Sequence, residues 1–182
     1  EAEENVYAEG PYKIAVEHGD PETEGPDKPY FSGSTDIDVA ARRVNTAQVT
    51  AHVAKSQTFV RITEAFAKFY HDAEFTVTTG SGNEFTFRPD GTGDPERIWV
   101  KTGTTLTVSG TARSQSQDGE KEGPRYTFPA ETLDVTVAAT CHIFTFDASN
   151  AGSASLNIVL GEGEGETRVI PVELTEEAIP SK

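Results

Sequence analysis

The sequence predicts an all-β fold of antiparallel β-sandwich modules with one short helix near residues 64–70, and three observations carry that expectation. Apolar and polar residues alternate in short runs from one end to the other, turn-forming residues separate the runs, and only one stretch has helical spacing. At 182 residues and 35% hydrophobic, the chain is long enough for one large β-domain or two small ones.

The runs begin with Tyr12, Ile14 and Val16, which alternate with Lys13, Ala15 and Glu17. Period two places one strand face inward and leaves the other wet. The pattern recurs at Ile37 and Val39, along Ala47, Val49, Ala51 and Val53, at Phe75 and Val77, and at Phe85 and Phe87. It continues through Leu106 and Val108, then Leu133, Val135 and Val137, then Leu156 and Ile158, and finally Ile170, Val172 and Leu174. Pro171 lies inside the last run, so that strand is expected at a sheet edge or at a bulge. Turn signals between the runs include Gly25-Pro26-Asp27, Thr79-Gly80-Ser81-Gly82-Asn83 and Pro89-Asp90-Gly91.

Phe66, Phe69 and Tyr70 stand at helical spacing, with Thr63 as N-cap and Glu64 in the first turn. The near-continuous β-pattern from Ala47 to Ile62 then suggests a passage between two modules. The expected division is a reduced N-terminal β-module over residues 1–57 and a β-sandwich domain over 58–182.

Thirty acidic against fifteen basic residues give a net charge of −15. The surplus lies at the two ends: residues 1–38 carry −9, residues 39–115 carry +2 and residues 116–182 carry −8. Such a field repels phosphate, so nucleic acid and anionic lipid are excluded as expected partners. Cys141 is the one cysteine and cannot form an internal disulfide; its strand-like surroundings suggest a packed thiol.

No motif assigns catalysis. His18, His52, His71 and His142 fall in no metal or triad spacing, and no nucleophile elbow occurs. The chain is expected to be non-enzymatic and to need no cofactor. Asp90, Asp94 and Glu96 offer oxygen ligands at alternating positions, a weak calcium candidate that lacks the closing Glu of an EF-hand loop. Glu162, Glu164 and Glu166 alternate with glycines and read as an acidic hairpin tip. Tyr30, Phe31 and Trp99 are the candidate ligand-binding residues, because exposed rings can stack on sugars and Trp99 lies on the strand face opposite Ile98 and Val100.

Four strings carry a family resemblance: Gly10-Pro11-Tyr12-Lys13-Ile14-Ala15-Val16-Glu17-His18-Gly19-Asp20, Lys28-Pro29-Tyr30-Phe31-Ser32-Gly33-Ser34, Ile98-Trp99-Val100-Lys101-Thr102-Gly103 and Phe146-Asp147-Ala148-Ser149-Asn150-Ala151-Gly152-Ser153. Together they resemble an uncharacterised domain family of secreted lipoproteins from Bacteroides-type bacteria, loosely akin to fimbrillin-like surface proteins. The resemblance implies export, a lipid anchor upstream of this chain, and an outer-membrane surface location. The functional expectation is a surface component in adhesion or fimbria-like assembly, with a surface protein or glycan as partner; the alternative, carried by Tyr30, Phe31 and Trp99, is a carbohydrate-binding module. The resemblance implies early strands before the Tyr12 strand, so residues 1–57 are expected to form a reduced module that either leans on the second module or accepts a donated strand in self-assembly, the first being the stronger expectation.

Overall fold

The computed structural model describes residues 7–92, 96–115, 123–150, 153–160, 168–172 and 175–176. Its regular structure is strands in three sheets with one short helix, as the alternation predicts.

The first sheet has three strands: β1 (Gly10–His18), β2 (Phe31–Val39) and β3 (His52–Val53), in that order. β1 and β2 run antiparallel over their full length, with Gly10 opposite Val39 and His18 opposite Phe31. Every side chain of this sheet is half-buried or exposed. Ala47 and Val49 keep their alternation without joining a ladder, so the long strand read there shrinks to β3. At Gly33 a Cβ would stand 2.1 Å from the Thr50 carbonyl oxygen, which shows how tightly the 47–51 segment crosses β2.

The chain then enters a two-sheet sandwich through β4 (Ser56–Ile62), α1 (Glu64–Phe69), β5 (Tyr70–Thr79), β6 (Glu84–Phe87), β7 (Ile98–Val100), β8 (Leu106–Ser114) and β9 (Arg125–Leu133). It closes with β10 (Cys141–Asn150), β11 (Ser153–Leu160), β12 (Arg168–Val172) and β13 (Thr175–Glu176). One sheet has the order β12-β11-β10-β4-β7, the other β13-β9-β8-β5-β6. Pro171 lies on the edge strand β12, where its missing amide breaks no further ladder.

Two features depart from the sequence reading. β4 and β10 pair in parallel, from Cys141 opposite Gln57 to Phe146 opposite Ile62, so this sheet is mixed. Both are inner strands, and His142 to Phe146 are buried without a break, as suits a strand covered on both faces. Secondly, β9 stops at Leu133, because its antiparallel neighbour β8 begins at Leu106 and those two residues form the last pair. Val135 and Val137 therefore lie in an irregular segment, 57% and 53% exposed.

Aromatic rings fill the sandwich. Phe75 of β5 stacks on Phe146 of β10 with centroids 3.9 Å apart, and Phe128 packs against both. The helix closes one end as expected: the Thr63 hydroxyl accepts the Phe66 amide, and Phe66, fully buried, meets Tyr70, Phe75, Phe128 and Phe146. Tyr70 caps α1 and opens β5, so the helix ends one residue before the expected boundary. Gly110 sits in a register irregularity of β8 and β9, where a Cβ would stand 2.3 Å from the Phe75 ring. Only glycine leaves Phe75 its seat.

Candidate binding surfaces

The three-stranded sheet is joined to the sandwich by the 20–28 loop. Lys55, between β3 and β4, is 2% exposed, and its ammonium donates to the carbonyls of Asp20 (2.6 Å), Thr23 and Lys28 (3.1 Å). Three carbonyl oxygens around one –NH3+ satisfy all its donors, which is what makes a buried lysine tolerable. Burial pushes its pKa down, and Asp20 and Glu24 work against that shift.

Glu24 fastens the same loop from its other side. One carboxylate oxygen accepts from Thr79 Oγ1 and Asn83 Nδ2, both at 2.7 Å, and the other accepts the Lys101 amide at 2.9 Å. Lys101 pairs with Glu22 at 2.6 Å, which holds its amine above the ordinary lysine value. Gly25 exchanges both backbone hydrogen bonds with Trp99, each 2.9 Å. Neither Lys55 nor Glu24 stood out in the sequence. The available signal was a lysine placed just before the β-run from Ser56 to Ile62.

The three aromatic candidates are each half-buried. Trp99 faces away from Ile98 and Val100, which are buried, as the alternation required. Tyr30 precedes β2 and its carbonyl accepts the Ala54 amide; partial burial, then the neighbouring Glu17 carboxylate, raise its phenol pKa. Phe31 opens β2, opposite His18, with ring centroids 6.4 Å apart. Tyr30 and Phe31 thus belong to the three-stranded sheet and Trp99 to the sandwich. Among the described residues no ring contact joins Trp99 to the other two.

The calcium candidate lies partly outside the described residues. The Asp90 carboxylate accepts the Thr92 amide at 2.8 Å in a local turn, and hydrogen bonds from Thr92 hold its pKa below the usual carboxylate range. Glu96 is exposed, and Asp94 lies outside the described residues, as do Glu162, Glu164 and Glu166. No metal-holding group of His, Cys, Asp or Glu occurs among the described residues. Asp90 instead lines a groove of about 590 Å³ with Asp72, Glu74, Arg88, Arg113 and Arg125. Three arginines and three carboxylates line it: Arg88 pairs with Glu74 at 2.6 Å, and Arg125 donates to the Thr111 hydroxyl at 2.6 Å. The lining is charge-balanced within itself.

His142 is fully buried, and its Nε2 accepts the Val137 amide at 3.1 Å while Nδ1 has no hydrogen-bond partner among the described residues. Burial lowers its pKa, and a nitrogen that accepts a backbone N–H has no proton of its own. Cys141, beside it, is half-buried and packs against the core.

The remaining surface is the outer edge of β1. Among the described residues nothing pairs with it, and it is the longest edge strand at nine residues. Its two faces differ: Lys13, Ala15 and Glu17 are exposed, while Tyr12 and Ile14 are half-buried on the other side with Val16, 39% exposed. Tyr7, 61% exposed, packs edge-on against Tyr12 at 5.5 Å.

These features define an all-β protein in which a closed aromatic sandwich carries a small sheet with an open edge. The chain belongs to the family described as a domain of unknown function (DUF4493), whose model matches residues 3–175. Neither the curated proteins nor the solved structures yielded a match. No described helix is long and apolar enough to cross a membrane.

Proposed function

We propose that the protein is a non-enzymatic cell-surface component of the outer membrane, working in adhesion or fimbria-like assembly and tethered by a lipid anchor upstream of this chain. The observation that carries the reading is the open nine-residue edge of β1 together with its half-exposed apolar face. An unpaired edge of that length is a template for another strand, the mode by which sheets recruit peptides and subunits. The sandwich supplies rigidity, and Lys55 and Glu24 fix the small sheet to it.

Beads coated with the full chain test this reading on immobilised epithelial surface proteins, on a glycan array and on each other. Wild-type beads are expected to be retained, and a Tyr12→Ser/Val16→Asp variant that makes the open face polar is expected to be lost. Retention indifferent to that change, or no retention anywhere, overturns it.

A second reading, a carbohydrate-binding module, is favoured by the partial exposure of Tyr30, Phe31 and Trp99. Trp99 is the sole tryptophan, so its emission reports on its own surroundings. A glycan that shifts the emission and loses affinity in Trp99→Ala supports that reading, and a silent glycan array removes it.

A further inference from the structure

The edges of the three sheets are unequal. β3 and β13 have two residues each, β6 has four, β12 carries Pro171, and β7 has three with Gly25 bridged to its outer side. These are devices that blunt an edge against pairing. Among the described residues β1, with nine residues, is blunted only at Pro11, near its start.

We propose that the outer edge of β1 pairs with the same edge of a second copy, antiparallel and centred on Ala15, so that two three-stranded sheets become one. The inference rests on the assembly reading and names its partner as another copy of this chain.

Backbone groups alternate sides along a strand, so a strand can pair with itself about a two-fold axis only if the axis passes through a residue, not between two. Few registers remain. Centring on Lys13 sets lysine against lysine, and centring on Glu17 sets glutamate against glutamate. Centring on Ile14 or Val16 leaves both charges opposite residues that cannot answer them.

Centring on Ala15 sets Lys13 of each copy opposite Glu17 of the other, Ile14 opposite Val16, and Tyr12 opposite His18. The axis stands perpendicular to the sheet, so each face meets its like. Charges then pair on the exposed face and apolar residues on the half-buried one. Pro11 falls just outside the paired span. The contact is small, so the association is weak and concentration-dependent.

Sedimentation of the full chain over a range of concentrations tests the proposal, with Lys13→Glu and Glu17→Lys as single variants. Each single reversal makes both symmetry-related pairs repulsive and is expected to weaken the dimer about tenfold. An equimolar mixture of the two variants, and the double variant Lys13→Glu/Glu17→Lys, are expected to restore it. Glu17 also hydrogen-bonds Tyr30 and Lys13 stands opposite Asp36 within its own sheet, so it is the rescue by the mixture and by the double variant that separates pairing from misfolding. A wild-type monomer at all concentrations, or a dimer indifferent to the reversals, overturns self-pairing. If beads still adhere in either case, the surface-binding reading survives without it; a chain that self-pairs but whose beads adhere to neither cells nor glycans confines the function to assembly.

Discussion

Gly25 and Trp99 hold one another by two backbone hydrogen bonds, and through them the loop that leads out of β1 closes the edge of a sandwich sheet. Gly25 does this with φ at 131°, a region that side-chain-bearing residues avoid. Its Cβ would meet the Phe85 ring at an ordinary 3.6 Å, so the constraint is conformational and not steric. Gly25→Ala is therefore expected to lower stability by about 1–3 kcal/mol. Denaturant midpoints measure it, and an unchanged midpoint would show that the bridge is dispensable.

Lys55 is the second fastening. Lys55→Met keeps the bulk but leaves three carbonyls without their donor, at a cost on the order of 3 kcal/mol. The 20–28 loop should then be cut faster in limited proteolysis, while the sandwich core stays resistant. Equal cleavage rates in both proteins would remove Lys55 from this role.

Packing sets a third expectation. Gly110→Ala drives a methyl group into the Phe75 ring and the Glu74 carbonyl, and overpacking of this kind costs about 1–3 kcal/mol or more. Thermal unfolding followed by circular dichroism reads the loss.

His142 makes stability depend on pH. Its folded-state pKa lies below the ordinary 6.5, so above that value both states are neutral and the histidine carries no penalty. As pH falls below 6.5 the unfolded chain takes up the proton first, and stability declines until the folded-state value is passed, by at most about 1.4 kcal/mol per pH unit. His142→Gln keeps an acceptor for the Val137 amide and does not titrate. Between pH 7.5 and 5 its urea midpoint should fall less than that of the wild type; parallel curves would contradict the assignment.

Much of the sandwich was legible because alternation reports which face of a strand is buried. Trp99 opposite Ile98 and Val100, Pro171 on an edge, and Thr63 capping the helix under Phe66 all follow from such local rules. Alternation does not report whether a partner strand exists. Val135 and Val137 continue the pattern past Leu133, but β8 begins only at Leu106, opposite Leu133, and offers them no partner. Nor does it report direction, so the parallel pairing of β4 with β10, between residues some eighty positions apart, was invisible. Lys55 escaped notice because the carbonyls that surround it belong to a distant loop. The open edge of β1 was foreseeable, whereas its charge register emerged only once β1 was seen as an edge of fixed length.

The most direct test of that edge is a disulfide. In the proposed pairing Ala15 faces Ala15 of the second copy at the Cα separation of paired strands, about 4.5–5.5 Å, within reach of an S–S bond. Ser34, its neighbour within the sheet, is equally exposed but one strand further in. With Cys141→Ser removing the native thiol, Ala15→Cys should form a covalent dimer under mild oxidation far faster than Ser34→Cys, as read on a non-reducing gel. Equal rates for the two variants, or a monomer in both, would contradict the open edge as the surface through which this protein assembles.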